Sequence, residues 1–343
     1  MKYLGVFVVL LATALGAQNV VYIPVVTEGA LASKAINTRL PVGSIAGSAG
    51  VSPTGGATYS VPITLPEACN GFQASLGLAY NSQGGDGLLG MGWSMSGVSA
   101  ITRVGADHYH DGIFDPVKYT SDDHFALDGQ RLVPTNGLPY GSTNAEYDTE
   151  KAQFLSVRAP SFIDGEPGHF RIVNKAGITS YYGLNNGVSD GKIINVSAGN
   201  RVTTWLLTHS VDPFGNTIRY NYHLDENEPR LYSIVYDMGG TSGSYQALVL
   251  FTYSNRSDVN VRYADRNMFA TTRLLTKIEL LSTTGGTRTA DLDYAHRALG
   301  RSYLSELKEY GTDGIPLNST IFKYGDEAQA QIWNTTEIST FQG

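Results

Sequence analysis

The densest run of side chains able to do chemistry is GADHYHDGIFD, Gly105 to Asp115, which gathers Asp107, His108, His110, Asp111 and Asp115. A His-x-His pair on one strand face can hold zinc or iron when a third ligand converges on it. That makes His108, His110 and Asp111 the metal candidates. Calcium fits less well, because the aspartate spacing departs from the D-x-D-x-D-G loop. The competing reading is a polar loop with no ion, since short His/Asp motifs arise often by composition. The reading adopted assigns no catalytic residue, no cofactor and no metal, and keeps those three side chains as candidates.

Other motifs fall short of a reaction. NSQGGDGLLGMGWSMSG, Asn81 to Gly97, is dense in glycine, but the Lys-Ser/Thr that completes a phosphate-cradling loop is missing. It reads as a compact loop packed on a sheet end, with Leu88, Leu89, Met91 and Trp93 as anchors. Gly92-Trp93-Ser94-Met95-Ser96 lacks the last glycine of a hydrolase nucleophile elbow. Glu226-Asn227-Glu228 is the one Glu-x-Glu, and it sits in DENEP (225–229), which reads as a solvated turn before Pro229. Carboxylate pairs at Asp122-Asp123 and Asp291/Asp293 have no sequence mark that they face one another across a sugar. Trp93, Trp205 and Tyr181-Tyr182 can stack on sugars, although core packing is the commoner fate of strand aromatics.

The elements that must carry these residues read as strands. ATYSVPITL (57–65) and QASLGLAY (73–80) alternate apolar and small or polar positions around the Asn70-Gly71 turn signal, which predicts a hairpin. Further strand patterns follow at short intervals: 124–133, 154–158, 169–174, 178–183, 201–211, 216–224, 230–237, 246–253, 291–296, 303–311 and 319–325. Only RLLTKIELL (273–281) fits a helix as well as a strand. DPFGNTIRYNY (212–222) and YGTDGIPLNSTIFKY (310–324) both set an aspartate–glycine turn before a strand with spaced aromatics, a weak internal repeat. The fold class expected is all-β, serial antiparallel hairpins with little helix.

Composition agrees. Of 343 residues 16% are charged, while glycine (39) and tyrosine (21) are plentiful, as in strands joined by tight turns. The net charge of -7 and the lack of a basic run argue against nucleic acid as a partner. Residues 1–17, MKYLGVFVVLLATALGA, read as a secretory signal whose removal takes Lys2 with it and leaves -8. The apolar stretch is too short to span a membrane, so no span is expected in the mature chain. A single cysteine, Cys69, allows no internal disulfide despite the export signal. Residues 18–56 read as a flexible Gly/Ser-rich lead-in, and 57–343 as the β domain.

Tyr59 to Arg103 carries a resemblance. Its N-G-x-Q-x-S-L-x-L-x-Y-N-S stretch (70–82) and G-L-L-G-x-G-W-S stretch (87–94) resemble the opening signature of the SpvB family. That family comprises the N-terminal regions of virulence-plasmid B proteins and of the B component of insecticidal toxin complexes. SDDHFALDGQRL (121–132) is similar to a second hallmark, with Ala126 where the family pattern has cysteine, and the region from about 200 resembles tyrosine–aspartate (RHS/YD) repeats. The resemblance implies a curved β-strip forming the early wall of an RHS-like shell, which encapsulates or docks a toxic polypeptide. The partners it implies are downstream RHS or propeller segments, or a toxin-complex partner protein. The virulence-plasmid member carries an ADP-ribosyltransferase at its far C-terminus. The order arginine, Ser-Thr-Ser, Glu-x-Glu that this chemistry needs is reversed here, since Glu226 precedes Ser282-Thr283-Thr284. A secreted, extracellular, non-enzymatic wall module is therefore expected, with a cell-surface carbohydrate-binding or hydrolytic β-protein as the alternative.

Overall fold

The computed structural model describes residues 46–324, except 66–70, 189, 225–227, 238–244, 265–266, 284, 298–299 and 318. These fall in one structural unit, Pro41–Gly343. The expected signal, most of the lead-in, Cys69 and Glu226-Asn227 lie outside the described residues.

Three sheets make up the fold. A four-stranded antiparallel sheet holds β1 (Ser48–Val51), β2 (Ala57–Ile63), β3 (Leu76–Asn81) and, after two short strands, β6 (Trp93–Ser96). Between β3 and β6 the glycine-dense stretch forms a miniature hairpin of β4 (Asp86–Gly87) and β5 (Gly90–Met91). The hairpin predicted from β2 and β3 is present, with Val61 opposite Leu78 in the core. β1 lies inside the stretch read as loose lead-in, yet Ser48 to Val51 pair with Ser60 to Ala57. A strand ladder uses backbone groups, so a sequence without apolar alternation can still add an exposed edge strand.

The sixteen-stranded sheet contains everything else. It begins with β7 (Ala100–Val104), β8 (His124–Leu127), β9 (Gln130–Pro134), β10 (Ala145–Thr149), β11 (Ser156–Ile163), β12 (Glu166–Val173) and β13 (Thr179–Tyr182). After β14 (Lys192–Asn195) comes β15 (Arg201–Val211), which pairs with both β7 and β13. β7 to β13 and β15 therefore close into a ring of eight strands. Serial antiparallel hairpins are present as expected, although the 124–133 run is two strands, β8 and β9, folded at Asp128-Gly129. β7, β10 and β14 lie outside the predicted segments. This half of the sheet also curls back on itself. The cause is β15, long enough to be shared. Its first half lies against β7 and β14, and its second half against β13 and β16 (Thr217–His223).

From β16 the sheet runs on as an open strip: β17 (Arg230–Asp237), β18 (Tyr245–Ala264), β19 (Asn267–Ser282), β20 (Gly286–His296), β21 (Ser302–Tyr310) and β22 (Thr320–Ile321). The ambiguous 273–281 run lies within β19, a strand. β17 pairs with β18 only over 245–250, and β20 with β19 only over 277–282. Beyond those points β18 and β19 run on together as a two-stranded ribbon. The Asp212 turn that enters the strip is held by its own carboxylate, which accepts from the N–H groups of Phe214 (2.9 Å) and Asn216 (2.8 Å).

The ring is filled by aromatics. Phe125, Phe170 and Trp205 stand edge to face at 5.2–5.3 Å, and Trp205 Nε1 donates to Pro167 O at 3.0 Å. The four-stranded sheet packs on the strip instead. Trp93 meets Phe322 at 4.7 Å and donates from Nε1 to the Tyr324 hydroxyl at 2.8 Å, and Ala74 N donates to Tyr236 Oη at 3.3 Å.

Candidate functional site

The predicted metal candidates sit on a single helical turn, α1 (His108–Asp111), and not on a strand. Asp107 caps the turn, accepting from His110 N at 2.9 Å and facing His110 Nδ1 at 2.7 Å. Residues two apart on a helix point away from one another, so His108 stays exposed while His110 folds back on Asp107. Asp111 is turned inward by Arg131 of β9, whose guanidinium reaches Asp111 Oδ1 at 2.7 Å and Asp107 Oδ2 at 3.1 Å. The hydrogen bond from the His110 backbone, then its ring, holds Asp107 down at about 2. Burial pushes the Asp111 carboxyl up, but hydrogen bonds from Asp107 N–H and Arg131 outweigh it and the net shift is downward.

Beside this turn lies a cavity of about 300 Å³ lined by Asp111, Asp115, Lys118, Ser121, Asp122 and His124 among others. Three of its carboxylates, those of Asp111, Asp115 and Asp123, are engaged in holding the loop. Asp115 pairs with Lys118 at 2.7 Å. Asp123 accepts from the N–H groups of Lys118, Tyr119 and Thr120 and pairs with Arg103 at 3.3 Å. Among the described residues no three metal-binding side chains converge. The ion pairs of Asp107, Asp111, Asp115 and Asp123 act as supports of this polar loop.

Arg103 shows what those supports hold. It is buried in the end of the ring, donates from Nε to Val202 O at 3.0 Å, and pairs with Asp123 and with Glu166 at 2.5 Å. Its guanidinium also lies 5.6 Å from the Phe125 ring centre and 5.7 Å from that of Trp205. Glu166 in turn accepts from Val202 N at 3.1 Å. Burial raises the Glu166 pKa against the opposing pull of Val202 N–H and Arg103.

A second cluster, not anticipated from sequence, ties the glycine-dense segment to the strip. Between Asn255↔Arg273 and Asn260↔Thr271, β18 advances five residues while β19 advances two, a wide bulge. The bulge turns Arg256 fully inside. Its guanidinium donates to Asp86 at 2.7 Å, to Gly87 O at 3.0 Å and to Asp258 at 2.8 Å. Asp258 also accepts from Ser302 N (2.6 Å) and Ser302 Oγ (2.8 Å), and Arg301 reaches Asp86 at 3.2 Å. Burial opposes ionisation of Asp258, but the Arg256 and Ser302 donors win and hold its pKa far down. Gly90 lies so close that a Cβ there would sit 2.5 Å from Ser302 O, at a φ of +78°.

Glu228 completes this clasp and corrects the solvated-turn reading. It is 7% exposed and accepts from Thr272 N at 3.2 Å, the N–H that the bulge leaves without a strand partner. Burial raises its pKa, with Thr271 and Thr272 pulling the other way. The sequence carries no mark of this, because the partner lies 44 residues away. Of the aromatics considered for sugar stacking, Trp93, Trp205 and Tyr182 are buried, whereas Tyr181 is half-buried on the outside of the ring and stacks on His209 at 4.5 Å. Ser94 stands on an exposed strand position, with its hydroxyl toward Ala79 O at 3.4 Å.

The family model described as Salmonella virulence plasmid 65kDa B protein (SpvB) matches residues 51–279. The mono(ADP-ribosyl)transferase SpvB of Salmonella typhimurium is 28% identical over 196 residues, 51% of this chain and 31% of that protein. The Salmonella dublin protein of the same name matches to the same extent, over 30% of its length. This chain therefore spans under a third of the curated relatives it matches. Among solved structures, TcdB2-TccC3 aligns with a TM-score of 0.64 at 20% identity, over 84% of this chain and 17% of that one. The N-terminal domain of effector protein SpvB from Salmonella typhimurium strain LT2 aligns with a TM-score of 0.56 at 17% identity, over 76% of this chain and 98% of that domain. These two likenesses establish a shared fold.

Proposed function

This chain belongs to the SpvB family, and from that premise we propose that it is a secreted, non-enzymatic wall module of a toxin-complex or RHS-type shell. The observation that carries the reading is the open strip. Strand follows strand from β15 to β22 in one antiparallel order. The two-residue β22 pairs with only Glu306 and Leu307 of the nine-residue β21, so most of the β21 edge has no strand beside it among the described residues. Such an edge is a template for the next strand. The module contributes early strips of the wall and docks the downstream RHS or propeller segments, or a toxin-complex partner, that continue it. Export by residues 1–17, the YD-like character beyond about 200 and the division at 56/57 belong to this proposal.

The non-enzymatic part rests on how the ionisable groups are used. Arg103, Asp123, Glu166, Arg256 and Asp258 are paired and buried, holding strands in register rather than facing a cleft. No helix among the described residues is long and apolar enough to cross a membrane. Co-expression with a downstream RHS segment followed by size-exclusion chromatography tests the docking, with co-elution as the expected result. A chain that stays monomeric and ignores that segment sinks it. Incubation with labelled NAD and acceptor proteins is expected to leave no ADP-ribose behind.

A further inference from the structure

On the outside of the ring, pairs directly opposite one another place five side chains in a row across five strands. Arg158 (β11) stands opposite Arg171 (β12), Arg171 opposite Tyr181 (β13), Tyr181 opposite His209 (β15), and His209 opposite Arg219 (β16). At about 4.8 Å per strand the row is about 19 Å long. His169 lies on the same face of β12, two residues from Arg171, with Nδ1 2.8 Å from Ser161 Oγ. Lys192 of β14 is close enough to act on His169 electrostatically.

The charges at the two ends are answered: Arg158 by Glu146 at 2.6 Å, and Arg219 by Asp237. In the middle they are not. Among the described residues neither Arg171 nor Lys192 makes an ion pair with a carboxylate, and the carboxylate two residues from Lys192, Asp190, accepts from the Lys192 backbone N–H at 3.3 Å. The charged groups acting on His209 are Arg219 and His169, with no carboxylate among them. On a chain of net charge -7 this is an uncompensated positive face. Its floor is flat, because the Tyr181 ring lies on the His209 imidazole at 16° between planes.

We propose that this face, centred on Arg171 and Lys192 with His169, Tyr181 and His209 beside them, docks an acidic polypeptide segment. Charge complementarity selects the occupant. The chain's net negative charge repels nucleic acid and anionic membranes at long range, whereas a short carboxylate-rich segment needs only the local field. The segment lies across the strands, its carboxylates on Arg171 and Lys192.

Acid strengthens the contact. Burial first, then the neighbouring cations, hold His169 below its ordinary range and His209 down at about 4. Both rings are neutral at pH 7, and a bound carboxylate favours their protonation, so affinity rises on mild acidification until the segment's own carboxylates, ordinarily near about 4.3, lose their charge. The groups facing the two rings are Ser161 on β11, Arg171 on β12, Tyr181 on β13, Lys192 on β14, Thr208 on β15 and Arg219 on β16.

The test is fluorescence anisotropy of a fluorescein-labelled, glutamate-rich peptide titrated with the full chain. The expected result is salt-sensitive binding that the Arg171→Gln/Lys192→Gln variant weakens by about tenfold or more. The same loss is not expected in Arg262→Gln, a cation on the distant ribbon. Arg171→Glu/Lys192→Glu is expected to switch preference to a lysine-rich peptide, which an unfolded variant cannot do. Equal peptide binding by the Gln variant, or no binding by the wild type, overturns the proposal. So does binding of heparin fragments or phosphatidylserine vesicles that the peptide fails to compete away.

Discussion

The closed ring and the open strip are one sheet, yet different forces hold them. In the ring every strand has neighbours on both sides, the interior is packed with Phe125, Phe170 and Trp205, and one buried arginine, Arg103, closes its end. In the strip the β18–β19 ribbon runs beyond its neighbours and has no such interior. A two-stranded ribbon is marginal alone in water. Here the Arg256 clasp and Glu228 fix its base to the glycine-dense segment and the turn before β21. Closure lets a sheet fill its interior with apolar rings and confine buried ion pairs to its end, whereas an open wall needs polar pins at the places where strands outrun their partners.

The largest blow to that contrast is Trp205→Ala. Trp205 is fully buried and belongs to β15, which ring and strip share. A loss of about 4 kcal/mol is expected from denaturant midpoints, with both regions unfolding together. Two separate transitions instead would show that the strip stands without the ring. Next comes Arg256→Ala, which leaves Asp258 buried without a cation and Asp86 with Arg301 alone, at a cost of about 3 kcal/mol. Hydrogen exchange is expected to rise in 84–92 and in the ribbon while ring amides keep their protection. Uniform loss of protection would contradict the local role of the clasp.

Glu228→Ala is expected to cost about 1 kcal/mol, because the Thr272 N–H loses its acceptor in a part-buried place. Faster exchange confined to the bulge opposite Arg256 is the result to look for. The last effect, of similar size, is a pH slope. His209 titrates at about 4 in the fold, below its ordinary 6.5, so the unfolded chain takes up the proton first as pH falls. Its contribution is fully present above about 6.5 and is lost as pH drops toward about 4, by about 1 kcal/mol after allowance for solvent screening. Asp258, held far below its ordinary 3.8, keeps the clasp intact through that window. Wild type minus His209→Gln should therefore show this slope in denaturant midpoints. A flat difference would remove the ring face as the acid-sensitive part.

Much of this fold is legible in the chain itself. RVTTWLLTHSV and RLYSIVYD coincide with β15 and β17, because strand alternation and turn residues are local properties. The β18–β19 ribbon is longer than its apolar run suggested, since residues 254–264 are mostly polar or exposed and are held by pairing with β19. The 107–115 cluster has metal-binding residue types, but helical geometry separates its two histidines, Arg131 takes up Asp107 and Asp111, and Lys118 takes up Asp115.

What the sequence alone determined was the kind of material: antiparallel strands, glycine and aspartate turns, few charges and a family signature in 59–103, all set within short windows. Where the sheet closes, where it stays open and which charges pin it were decided by tertiary structure. Those outcomes depend on contacts between residues far apart, such as Asp86 with Arg256 or Arg103 with Glu166, and no local pattern encodes them.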